Sequence, residues 1–429
     1  MKKLIIIAAV IILGLSVFSQ QISDQKLSEE TMVINVEVPV RVFQGNRFID
    51  DLTLNDFEVL EDGVPQRVEA VYLVKKRSIE RREENKRFAP ETSRNFYLFF
   101  EINEYTAKLG DAIEYFVHDI LVPGDNLIVI TSMKTYKLKG KTLEVLSKED
   151  IVNQLKGILR RDAMIGSSEY RDIVDDMVSL AKALSSAIQS FGAATEETTE
   201  GTEAGNIAFT TRYVDGFSTG QYEGMSIDEQ LTRYADLLGR LDNIRNIEQK
   251  KFLEFSDLIK GKEGQKYIFM FYEKEYIPQI DPKILNQYLA IFQDRPNIIH
   301  AISGLFDFYR REINLDVERI KQAYADSSIS IHFLYISRPP QHIYGIRMEE
   351  HSEDIFSVFH EMAKATGGYS SSSANSAFLF KQALEASENY YLVYYTPQNY
   401  KNDGKFKEIK VKVKDKEYKV EHRLGYFAR

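Results

Sequence analysis

The chain has 429 residues, more than one hydrophobic core ordinarily serves, so a single small module is excluded and two or three domains are expected. Apolar residues make up 44% and charged residues 28%, with 25 Tyr and 26 Phe, which excludes general disorder. A net charge of -9 is the wrong sign for a nucleic-acid surface, and the absence of cysteine excludes disulfides, thiolate metal sites and a cysteine nucleophile.

Met1, Lys2 and Lys3 precede an apolar run from Leu4 to Phe18, followed by polar Gln20, Gln21, Ser23 and Asp24. That layout predicts a secretory signal peptide over residues 1–19, with Val17 and Ser19 suited to a peptidase site before Gln20. The run is shorter than the ~20 residues of a spanning helix, and without a cysteine behind it a lipoprotein anchor is excluded. The mature chain is expected in the periplasm or secreted, with no membrane insertion after cleavage.

Residues 33–74 read as an N-terminal β segment. Ile34, Val36, Val38, Val40 and Val42 alternate with polar residues, and Pro39, which lacks an N–H, predicts an edge strand or a bulge. Two further strands follow, Phe57 to Leu60 and Val64 to Val74, separated by the turn Glu61-Asp62-Gly63. Residues 75–94 mix charges of both signs and read as a solvated linker.

From residue 95 the pattern changes. Phe96 to Phe100 is a continuous apolar run, Leu109, Ile113, Phe116, Val117 and Ile120 recur at helical spacing, and Pro123-Gly124-Asp125 stops that helix before the strand Leu127 to Ile130. Strand, helix and strand in that order predict a parallel βαβ unit. Further helices are expected over Ser147 to Arg160, Asp228 to Ile259, Leu315 to Ala325 and Ile355 to Ala365, the last closed by Gly367-Gly368, with strands Tyr267 to Phe271 and Ile329 to Ile336 between them. Ser370 to Ser373 reads as a turn. Residues 165–227 look inserted: an amphipathic helix through Ile173, Met177, Leu180 and Leu184, then the polar, small-residue stretch Ala193 to Asn206.

After residue 390 alternation returns, in Ile409, Val411 and Val413 and again over Tyr418 to Leu424. Neither β end suffices alone, so 391–429 is expected to pack with 33–74. The predicted fold class is α/β: a doubly wound, mostly parallel, Rossmann-like sheet over 95–390, plus a β-sandwich built from the two chain ends.

Several motifs fall in a familiar order: Asp56 to Gly63, Leu121 to Asp125, Ala365 to Gly368, Tyr391 to Pro397 and Gly425 to Ala428. In these the chain resembles the exported bacterial proteins called von Willebrand factor A-related, over most of residues 33–429 outside the insertion. The resemblance implies an adhesion-type domain in which Mg²⁺ is held by an Asp-x-Ser-x-Ser loop, a hydroxyl from a second loop and an Asp from a third. Here the first loop reads Glu101-Ile102-Asn103-Glu104-Tyr105, the third offers Glu273 followed by Lys274, and Ser167 and Ser168 stand for the second. Mg²⁺ demands near-octahedral oxygens, and the longer Glu side chains and the Tyr105 ring predict a degenerate site, with Glu101, Asn103 and Glu273 as weak metal candidates and no cofactor.

Enzymatic signatures are missing from the sequence. His360-Glu361 does not extend to a zinc-protease motif, there is no nucleophile elbow and no phosphate loop, and His118 reads as a packed or rim residue. The expectation is an exported, non-catalytic module that recognises a partner protein through Glu101, Asn103, Tyr105, Ser167, Ser168 and Glu273, at loops over strand C-termini. Its alternatives are a Mg-dependent adhesion module and an envelope hydrolase whose active site the residues do not reveal.

Overall fold

In the computed structural model the alternating valines of the N-terminal segment form β1 (Val36–Gln44), with Val36, Val38, Val40 and Val42 buried. Residues 34–45, 47–138, 145–197, 222, 224–244, 248–308, 315–339, 342–343, 346–350, 352–414 and 417–429 are described. The expected signal peptide 1–19 and residues 198–206 of the polar stretch lie outside them.

After β1 come β2 (Arg47–Phe48), β3 (Phe57–Glu61), β4 (Val64–Gln66), β5 (Val68–Lys75) and β6 (Ser78–Glu84). The middle of the chain begins with β7 (Arg94–Glu101) and α1 (Ala107–Tyr115), which runs into a π-helical turn over Phe116–Ile120. Next are β8 (Asn126–Thr131), β9 (Thr135–Leu138) and four helices: α2 (Lys148–Gly166), α3 (Ser168–Glu197), α4 (Ile227–Ile244) and α5 (Gln249–Lys260). The expected helix from Asp228 to Ile259 is thus two helices. Then follow β10 (Gln265–Glu273), β11 (Tyr276–Ile280), α6 (Pro282–Ile291), α7 (Pro296–Phe308), α8 (Val317–Asp326), β12 (Ile329–Ile336) and β13 (Ile346–Glu350). The chain continues through α9 (Glu353–Ala365), β14 (Ser370–Ser373), α10 (Ser376–Glu388), β15 (Asn389–Tyr395), β16 (Phe406–Val413), β17 (Lys419–His422) and β18 (Gly425–Phe427).

The strands form four sheets, and here the expected fold class is corrected. Parallel pairing occurs in one sheet, ordered β14-β12-β10-β7-β8-β9, and even there β9 returns antiparallel to β8. The sheet ordered β17-β1-β15-β5-β6, with β2 on β1, curls into a half-barrel and is antiparallel, as are β18-β16-β3-β4 and β11-β13. The molecule therefore has mixed α and β content with mostly antiparallel sheets, not a doubly wound, mostly parallel one. The reason is connection length: Thr131 to Thr135 and Glu61 to Val64 are too short for a parallel crossover and must reverse the chain.

Three local readings also change. Residues 78–84, expected as linker, are β6, paired along β5. Ser370 to Ser373, expected as a turn, is β14, lying parallel to β12. Pro39 is on neither an edge strand nor a bulge, because β1 is flanked by β15 and β17; the β17 ladder starts at Val40, just past the proline.

Apolar side chains cover both faces of the β10-containing sheet. Phe96, Leu98, Phe100, Phe269 and Phe271 pack with α1, α2 and α10, whereas Tyr97, Ile268, Met270, Phe333 and Tyr335 pack with α5, α8 and α9. A further core joins α3, α4, α6 and α7 to the β11–β13 ribbon, through residues such as Leu184, Tyr234, Leu237, Tyr288 and Ile302. Each of these large side chains contributes about 1.5–3 kcal/mol by leaving water.

The end of α9 fixes the approach to β12. Gly367 is at φ 64°, its N–H bonds Lys364 O at 3.3 Å, and the Gly368 N–H bonds Ala363 O at 2.7 Å, which is a Schellman motif. A Cβ on Gly368 would fall 1.7 Å from the Ile331 carbonyl oxygen. Gly368→Ala is expected to lower stability by about 1–3 kcal/mol through overpacking, and Gly367→Ala by about 1 kcal/mol through backbone strain. Melting temperatures of the two variants check this order; an unchanged Gly368→Ala would show that the two backbones can part.

Candidate functional site

Three of the loops singled out in the sequence meet where β7 and β10 end. β7 stops at Glu101, and the chain then turns through Ile102 to Tyr105 before Thr106, whose Oγ1 accepts the Leu109 N–H at 3.2 Å and starts α1. β10 stops at Glu273, whose carboxylate reaches into that turn: Oε2 accepts the backbone N–H of Asn103 at 2.8 Å and of Glu104 at 3.3 Å. Ser167, at the junction of α2 and α3, donates to Asn103 O at 2.7 Å, and Arg171 donates to the same oxygen at 3.1 Å. The structure thus brings together Asn103, Ser167 and Glu273.

The other expected residues are placed differently. Ser168 donates to Ile165 O at 2.8 Å within its own turn and is exposed. Tyr105 lies beneath the Arg160 guanidinium, 5.0 Å from ring centroid to Cζ, with its hydroxyl against Gly110. Glu101 has an exposed side chain that is nonetheless hemmed in by neighbouring atoms. That partial desolvation, and then the Glu275 carboxylate, push its carboxyl above the ordinary range. His118, on the π-helical turn, is half exposed and faces Glu149 at 3.6 Å.

Sequence reasoning did not find the residue that organises the site. Arg338, just after β12, places Nε 2.8 Å from Glu273 Oε1 and a terminal nitrogen 2.7 Å from Glu104 Oε2. Burial raises the Glu273 carboxyl above its usual value, and Arg338 and the two amide donors work against that shift. Both Glu273 oxygens are therefore engaged, so a metal ion approaching this carboxylate would have to displace a guanidinium. Among the described residues, no group of three or more His, Asp or Glu is arranged to hold a metal ion.

Beside Glu273, Lys274 turns away to Glu350, at 2.7 Å, and lies over the Tyr335 ring. Burial opposes ionisation of Glu350, but donation from Lys274, Tyr335 and Ser352 outweighs it and holds this carboxyl below the usual range. Ion pairs and backbone contacts thus brace the loops after β7, β10 and β12 against one another.

A second feature is invisible in sequence. Met133, after β8, and Met164 and Ile165, at the end of α2, are 47%, 60% and 45% exposed. Met133 lies beside Gly166, the residue that follows Met164 and Ile165: a Cβ on Gly166 would be 3.5 Å from Met133 Cγ. These exposed apolar side chains border the junction that Ser167 ties to Asn103. No sequence signal separates them from core residues, because Met164 and Ile165 sit in a helix with a buried apolar face. Among the described residues, no helix is long and apolar enough to cross a membrane. No family model and no curated protein matches this chain, so the resemblance to von Willebrand factor A-related proteins rests on the motifs in its sequence.

Proposed function

We propose that the protein is an exported, non-catalytic binding module that recognises a partner protein at the ends of β7, β8 and β10. The observation that carries this reading is the exposed group Met133, Met164 and Ile165 beside the braced loops of Asn103, Glu104 and Glu273. Apolar anchors surrounded by polar, immobilised backbone are the usual anatomy of a protein interface, and methionine adapts its shape to a partner at little cost. Recognition on this reading needs no metal, because the carboxylate that a cation would use is held by Arg338.

The test is cross-linking capture from the native envelope with the full chain, with and without EDTA. Capture is expected to survive EDTA and to fall at least about tenfold in Met164→Glu and in Ile165→Glu, since a central apolar anchor carries a large share of binding energy. Both positions are exposed, so the variants should melt like the parent. Capture abolished by EDTA would favour Mg-dependent adhesion instead, and capture indifferent to both substitutions would move the surface elsewhere.

A further inference from the structure

At the opposite end of β10 and β12, where these strands begin, a small cleft open to solvent lies between them and the sheet built on β1 and β15. Arg41, Tyr390, Ser328, Ser330, Thr366 and Arg423 are among its lining residues. It is separate from the loops after β7, β8 and β10.

Its chemistry is cationic in a chain of net charge -9. Arg41 and Arg423 are 7% and 9% exposed, and Lys266, 5% exposed, lies close enough for the Arg423 charge to act on it. Arg41 is 3.9 Å from Glu421, and Arg423 uses its terminal nitrogens on Ser328 Oγ at 2.7 Å and on Glu37 O at 2.6 Å. The Arg423 Nε is buried without a hydrogen-bond partner, an orphaned donor of the kind that folded proteins rarely tolerate. Acids are also near: Glu421 beside Arg41, and Glu37 and Asp326, whose charges act on Arg423; burial raises the Glu37 carboxyl above the usual range despite Arg423 and Lys266, which weakens it as a counter-ion.

Two serine hydroxyls are part of the lining. Burial holds the His332 imidazole neutral, and its Nδ1 accepts the Tyr369 N–H at 3.1 Å, so the ring proton is on Nε2 and is donated to Ser330 Oγ at 3.2 Å. Ser330 Oγ also accepts from Arg41 at 3.5 Å. Ser328 Oγ accepts from Arg423. Each hydroxyl oxygen is used as an acceptor, which leaves its hydrogen to donate. Ser328 is held at φ 52°, a left-handed backbone that a serine adopts only under constraint, and such strain gathers at ligand sites. Guanidinium groups, an unpaired buried donor and donating hydroxyls around one cleft are the complement of a negatively charged oxygen group.

We propose that this cleft binds a small oxyanion, a carboxylate or phosphate group, between Arg41, Arg423, Ser328 and Ser330. The site does not depend on the partner-binding surface at the other end of the strands. It is tested by calorimetric titration of the full chain with inorganic phosphate and, separately, with acetate, each against chloride at equal ionic strength. The expected result is saturable binding of at least one, with an affinity at least about tenfold lower in Arg41→Gln and in Ser328→Gly, as loss of a charged or hydroxyl donor requires. The phosphate and acetate arms distinguish the two sources of the oxygen group. Glycine accepts φ 52° without strain, so Ser328→Gly keeps the fold in the test and decides the outcome if Arg41→Gln does not fold. Absence of saturable binding by both anions, or an affinity in Ser328→Gly within about threefold of the parent, overturns the proposal.

Discussion

Asp125→Ala is expected to cost about 3–5 kcal/mol, the largest loss of stability among the changes considered, because it strands a buried guanidinium. Arg94 and Asp125 are 1% and 0% exposed. Arg94 Nε lies 3.1 Å and a terminal nitrogen 2.6 Å from the two carboxylate oxygens, the same terminal nitrogen donates to Ile120 O at 2.9 Å, and Asp125 also accepts the Val122 N–H at 3.0 Å. The pair thus ties the start of β7 to the turn that ends the first helix and opens β8. Removing the carboxylate leaves a buried guanidinium without its hydrogen-bonded counter-ion, whereas Arg94→Met with Asp125→Leu removes both charges and should recover much of the loss. Urea unfolding followed by tyrosine fluorescence, practical because the chain has no tryptophan, measures the series. A midpoint for Asp125→Ala equal to that of the parent would mean that water reaches the pair.

That pair also shows what the sequence could reveal. Pro123-Gly124-Asp125 reads as a helix stop because turn chemistry is local. Its partner Arg94 is 31 residues away, at the end of a charged stretch that reads as linker, and nothing local distinguishes an arginine facing Asp125 from one facing water. β6 was illegible for a related reason: Ser78 to Glu84 carries almost no apolar residue, and its strand conformation comes from hydrogen bonds to β5 rather than from its own pattern. The serines of β14 have no preference for strands and are placed by β12.

The fold class failed on arithmetic that periodicity does not supply. Continuous apolar runs such as Phe96 to Phe100 announce strands covered on both faces, but the short antiparallel partners β9, β11 and β13 lack such runs, and the chain ends add two antiparallel sheets. At the candidate site, loops after strands could be named, which is why Asn103, Ser167 and Glu273 converge. Arg338 could not, since it lies 65 positions beyond Glu273 and its role depends only on where β12 ends.

Relative to Lys266→Met, the parent chain should gain as much as ~3 kcal/mol of stability as pH rises from about 8 to about 10.5. Burial first, then repulsion by Arg423 and Lys260 against the pull of Glu37, together lower the Lys266 ammonium to about 8 from its ordinary 10.5. Its Nζ retains one donation, to Ser327 O at 2.9 Å. Below about 8 the group is protonated both folded and unfolded, so the cost of burying its charge is present in full. Within the window the unfolded chain holds a proton that the folded chain has released, so the unfolded state binds more protons and stability increases with pH. Above the window both states are neutral and the cost is gone. The methionine variant has no such proton, and groups common to both chains cancel in the difference. Denaturant midpoints of the two chains at intervals across the window measure it. A constant difference would show that Lys266 keeps its charge with water beside it, and the cationic crowding behind Arg423 would then be milder than the packing implies.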